Sequence, residues 1–160
     1  MHVLLVQPAY YTCYPPLGLL KLATYHQLQC HTVELVQGCQ PVVSKPDQIH
    51  VTSLFTYAWE PVHQAIAYYK RLFPQVRLTV GGIYATLMPE HAKSSQADEV
   101  FTGIDEQVED LLPDYSLVPS WEPSSIVFSH RGCIRKCPFC AVPSMERHIV
   151  AKRSIRHRTY

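Results

Sequence analysis

Apolar runs of two different periods alternate along most of the chain, and this alternation limits the folds open to it. Residues 2–7 (His-Val-Leu-Leu-Val-Gln) form a short apolar run closed by Pro8, the pattern of a buried strand. Residues 16–29 place Leu17, Leu20, Ala23 and Leu28 at helical spacing, and Pro16 suits the first turn. Residues 31–36 alternate as a second strand, 37–48 are a loop rich in Pro, Ser and Gly, and 49–54 are a third strand. Residues 60–73 form an amphipathic helix through Val62, Ile66, Tyr69 and Phe73, stopped by Pro74. A fourth strand over 76–80 ends in Gly81-Gly82, followed by a short helix over 84–92, a strand over 98–101 and a helix over 104–112. The order predicts an α/β fold over residues 1–112: a doubly wound, mostly parallel sheet of the Rossmann or flavodoxin-like kind. Residues 113–123, with Pro113, Pro119 and Pro123, read as a linker, and a strand at 125–129 opens a second domain over 124–160.

The chain has 160 residues, 47% of them hydrophobic and 17% charged, which fits a soluble protein with a full domain and little more. No run of about 18 apolar residues is present, so no membrane span is expected. The first residues are too short and too uncharged for a signal peptide. The cytoplasm is therefore the expected location, where clustered thiols stay reduced and bind metal more readily than they pair.

Cys133, Cys137 and Cys140 lie in Ser129-His-Arg-Gly-Cys-Ile-Arg-Lys-Cys-Pro-Phe-Cys, a Cys-x3-Cys-x2-Cys spacing. Three thiolates on one loop can hold three irons of a cubane cluster and leave the fourth open, whereas ordinary ferredoxin clusters use four cysteines. Zinc, with His130 or His148 as a fourth ligand, is the competing reading. A disulfide would leave one of the three unpaired. The flanks favour the cluster: a strand, an Arg-Gly turn, the cysteine loop, then Phe139-Cys140. Net charge is +1. Residues 131–160 hold 8 Lys/Arg against 1 Asp/Glu, whereas residues 1–130 hold 6 against 12. A basic tail can mark nucleic-acid contact. The preferred reading is local: Arg131, Arg135 and Lys136 offset an anionic cluster, and nucleic acid is not an expected partner.

This stretch resembles the signature of the radical S-adenosylmethionine (radical SAM) superfamily. The resemblance extends to Pro15-Pro16-Leu17-Gly18-Leu19-Leu20 and to Val80-Gly81-Gly82 with Ala85-Thr86-Leu87-Met88-Pro89-Glu90, which are similar to members with an N-terminal cobalamin-binding-like domain. It implies a [4Fe-4S] cluster on Cys133, Cys137 and Cys140, with Phe139 beside the cofactor. It also implies SAM on the open iron and reductive cleavage of SAM to a 5′-deoxyadenosyl radical. The electron would come from a donor such as flavodoxin or ferredoxin. A non-catalytic module with a zinc or orphan cluster site is the alternative. Only the first strand, the cluster loop and a helix start at Ser154-Ile155-Arg156-His157 of a radical SAM barrel fit before Tyr160. The chain therefore reads as a fragment expected to hold a cluster but to turn over SAM slowly or not at all.

In open parallel sheets, ligands lie beyond the C-terminal strand ends. Thr52, Ser53, Gly81 and Gly82 fall there and are the candidate cofactor-binding residues, the hydroxyls as donors and the glycines as points of close approach for a ligand or neighbouring backbone. Cobalamin is compatible with such a domain and not demanded by it: the Asp-x-His-x-x-Gly motif is absent, and the radical SAM subgroup commonly lacks it. Asp105, Glu106, Glu109 and Asp110 read as a solvated helix start, and Cys13, Cys30 and Cys39 carry no assigned role.

Overall fold

A computed structural model describes residues 1–120, 125, 126, 128, 130–146, 150 and 151. The chain divides into two compact units, Met1–Trp121 and Glu122–Tyr160.

The first unit is built on a parallel sheet of β1 (His2–Gln7), β2 (Thr32–Gln37), β3 (Gln48–Ser53), β4 (Arg77–Gly82) and β5 (Glu99–Val100). The spatial order is β2-β1-β3-β4-β5, a doubly wound order that reverses between β1 and β3. Val3, Leu4, Leu5 and Val6 are all 0% exposed, because helices cover both faces of the central strand. Val3 and Leu5 pack with Leu19 and Ala23 of α1 (Leu17–Leu28). Leu4 and Val6 join Ile49, Val51, Leu78 and Val80 against Val62, Ile66 and Tyr69 of α2 (Trp59–Leu72). The expected parallel α/β sheet is therefore present.

The elements differ from the sequence reading in physically explicable ways. The buried line of α1 runs through Leu19, Leu20, Ala23 and His26, so Leu28 is exposed. The helix expected over 84–92 is two, α3 (Ile83–Leu87) and α4 (Pro89–Lys93). Met88 precedes Pro89 and sits at φ −130°, ψ 56°, because a proline ring disfavours helical backbone in the residue before it. Gly81 and Gly82 lie inside β4 and pair with Thr52 and Ser53.

The expected linker is largely part of the first unit. After α5 (Glu106–Glu109) the chain straps across α1: the Thr24 hydroxyl donates to the Leu112 carbonyl at 2.6 Å, Gln27 to Asp114 Oδ2 at 2.7 Å, and the Asp114 N–H to the Leu20 carbonyl at 3.1 Å. A 3-10 turn over Tyr115–Leu117 brings Leu117 against the α1 core cluster. Asp105 caps α5 by accepting the Gln107 N–H at 3.0 Å. Glu109 is not solvated: it meets Lys21 of α1 at 3.3 Å, with both side chains nearly buried.

In the second unit the described part of 125–129 is not strand. The strand is β6 (His130–Arg131), paired antiparallel with β7 (Val150–Ala151), and α6 (Val142–Met145) lies between them in sequence. His148 and the helix start at 154–157 fall outside the described residues. Among the described residues no helix is long and apolar enough to cross a membrane.

Candidate functional site

The reversal point between β1 and β3 is where a doubly wound sheet offers a crevice. Here Tyr10, in the turn after β1, is 7% exposed and packs edge-on against Phe55, with ring centroids 5.9 Å apart. Burial pushes its hydroxyl up to about 12, against hydrogen bonds with the Thr52 side chain and the Leu54 backbone. Thr52 is thus engaged within the protein. Ser53 is 1% exposed, donates to the Gly81 carbonyl at 2.8 Å and accepts the Ala85 N–H at 3.1 Å. Gly82 has φ 113° and ψ −166°, a region only glycine occupies comfortably. A Cβ there would lie 2.3 Å from the Ser53 carbonyl oxygen, and one on Gly81 would touch the Phe101 ring. The close approach at this turn is made by neighbouring backbone, and the Ser53 hydroxyl joins the strand ends to the helix that follows.

Two aromatic and imidazole clusters had no sequence signal beyond the His residues themselves. Tyr84 is fully buried, and its hydroxyl lies 2.9 Å from His63 Nε2 and 2.7 Å from His91 Nδ1. A phenol donates once, so one imidazole accepts from it while the other donates to it. Trp59 packs edge-on against both rings, at 5.2 and 5.0 Å. Burial, and then His91, lower the pKa of His63. Across the sheet, His26 Nδ1 lies 3.1 Å from His31 Nδ1, and the His50 ring is tilted against that of His26 with centroids 5.5 Å apart. The His26–His31 contact follows from the end of α1. Cys30 takes φ 61°, its N–H donates to the Gln27 carbonyl and the His31 N–H to the His26 carbonyl, a Schellman cap that brings residues 26 and 31 together.

The three motif cysteines are free thiols: Cys133 is exposed, Cys137 and Cys140 half-buried. Pro138 and Phe139 form a turn in which the Cys140 N–H donates to the Cys137 carbonyl at 3.0 Å. The Arg135 N–H donates to Cys133 Sγ at 3.4 Å. Phe139 is 90% exposed. Among the described residues, no three His, Cys, Asp or Glu side chains are gathered so as to hold a metal ion. The Arg131 guanidinium sits over the Phe128 ring at 3.7 Å and pairs with Glu146 at 2.8 Å. Arg135 and Lys136 remain exposed beside the thiols.

No protein-family model and no curated protein sequence matches the chain. The functional reading therefore rests on the residues themselves.

Proposed function

We propose that the chain carries the cluster site of a radical SAM enzyme, with Cys133, Cys137 and Cys140 as the protein ligands of a [4Fe-4S] cluster. The observation that carries this reading is a set of three unbridged thiols, none fully buried, spaced Cys-x3-Cys-x2-Cys on one loop. The donor set fits the group. Thiolates suit iron–sulfur clusters and zinc, and three of them leave one iron for SAM. When bound, the cluster supplies the electron that cleaves SAM to a 5′-deoxyadenosyl radical.

The chain's own residues do the rest. The Arg135 N–H already donates to Cys133 Sγ, and hydrogen bonds to sulfur are one of the levers on cluster potential. Arg135 and Lys136 place two cations beside an anionic centre. Phe139 offers an apolar face next to Cys140. An exposed loop is open to a small electron-transfer protein of the flavodoxin or ferredoxin kind.

Anaerobic reconstitution with iron and sulfide, followed by metal analysis, tests the reading. About four irons and four sulfides per chain are expected. Stoichiometric zinc that resists exchange, with His130 as a candidate fourth ligand, overturns it in favour of a structural metal module.

A further inference from the structure

Glu146 follows α6 and closes the cysteine loop on itself. One carboxylate oxygen accepts from Arg131 Nη1 at 2.8 Å, and the other accepts the Gly132 N–H at 2.5 Å. Both side chains of the ion pair are largely withdrawn from water, at 19% and 14% exposure. That strengthens the pair relative to a surface one and makes either partner costly to leave alone. The guanidinium is held from a second direction by the Phe128 ring. Gly132 sits at φ 79°, backbone that glycine adopts without strain, immediately before Cys133. A single carboxylate therefore holds both the Arg131 side chain and the Arg131–Gly132 peptide, one residue before Cys133.

The geometry points to Glu146 as a positioning residue for the cluster, fixing the backbone that leads into Cys133. This inference rests on the cluster reading above. Groups around metal ligands orient them, and their loss typically costs about 10–100-fold in metal affinity. Glu146 acts through Gly132 and Arg131, so its removal should alter how the cluster is held while leaving the three cysteines available to bind it.

The test uses the full chain as wild type, Glu146→Gln and Glu146→Ala. In iron-free protein, the Gly132 amide resonance is followed by NMR. In reconstituted protein, iron release to excess chelator is timed and the reduced cluster is examined by electron paramagnetic resonance. Glu146→Ala should shift the Gly132 resonance, speed iron release by about 10–100-fold and change the spectrum. Glu146→Gln keeps an acceptor for the Gly132 N–H and should fall between. Circular dichroism of the sheet unit should be the same in all three. An unmoved Gly132 resonance, or unchanged release and spectrum in Glu146→Ala, overturns the inference. Wild-type protein that takes up no iron is a different result: it removes the cluster reading itself before any variant is compared.

Discussion

Gly82 and Ser53 interlock so closely that the Cβ which Gly82 lacks would fall 2.3 Å from the Ser53 carbonyl oxygen. The Ser53 hydroxyl completes the joint by bridging the Gly81 carbonyl and the Ala85 N–H. Gly82→Ala should cost about 3 kcal/mol, combining a glycine-only backbone region with a clash against main chain. Ser53→Ala takes a partner from the buried Ala85 N–H and the half-buried Gly81 carbonyl and should cost about 1–3 kcal/mol. Urea denaturation followed by circular dichroism gives both values. A Gly82→Ala loss below about 1 kcal/mol would mean that the strand ends part at little cost.

His50 should make the fold acid-sensitive. Burial, then the neighbouring His26, depress its pKa to about 4, with Glu99, Arg77 and Asp105 acting in opposing directions. Among the described residues its buried Nε2 finds no hydrogen-bond partner. The fold thus accommodates the neutral ring: this stability is fully present above the unfolded value near 6.5 and is lost as pH falls through the folded value. The loss between pH 6.5 and 4 should be about 3 kcal/mol. His50→Leu should flatten that slope in urea titrations at pH 7 and pH 4.5. An unchanged slope would assign the acid sensitivity elsewhere, with His26, whose pKa is also lowered by burial and by His31, the next group to replace.

Cys30 ends α1 in left-handed backbone, at φ 61°. For a residue with a Cβ that conformation costs about 1–2 kcal/mol. Cys30→Gly should raise stability by about 1 kcal/mol after the entropy of glycine is set against the relieved strain. The thiol is exposed, so little packing is lost. A drop in thermal midpoint would show that the Cys30 side chain contributes something the cap geometry does not reveal.

The six cysteines should separate into two groups. Replacing Cys133, Cys137 or Cys140 by Ala should remove the iron-dependent visible absorbance after anaerobic reconstitution. Cys13, Cys30 and Cys39 are exposed, free and outside the loop, and their replacement should leave iron content at the wild-type value. Retained stoichiometric iron in a Cys137→Ala protein would break the proposed ligand set.

Strands β1 to β4 and the buried face of α2 were legible in the sequence because their apolar periods are strong and bounded by proline or glycine. Leu28 was misplaced because α1 buries Leu19 and His26, a line shifted around the helix from the apolar pattern. Glu109 looked solvated because Lys21, its partner, is remote in sequence. The motif cysteines were visible as spacing alone. Glu146 was not, since its meaning depends on where the chain after α6 returns to Arg131 and Gly132. The Ser53–Gly82 joint was half legible: the residues stood out, but only the register of β3 against β4 shows that they face each other.

The strap over α1 also imposes an order of events on synthesis. Each strand emerging from the ribosome can dock on one already made, since β2 and β3 both pair with β1, then β4 with β3 and β5 with β4. The outer side of α1 has no such early partner: Lys21, Thr24 and Gln27 reach theirs 87 or 88 positions later in the chain. Until Asp114 has left the exit tunnel, α1 keeps an unfinished surface, so a helix made before most of the sheet is among the last of its elements to be completed.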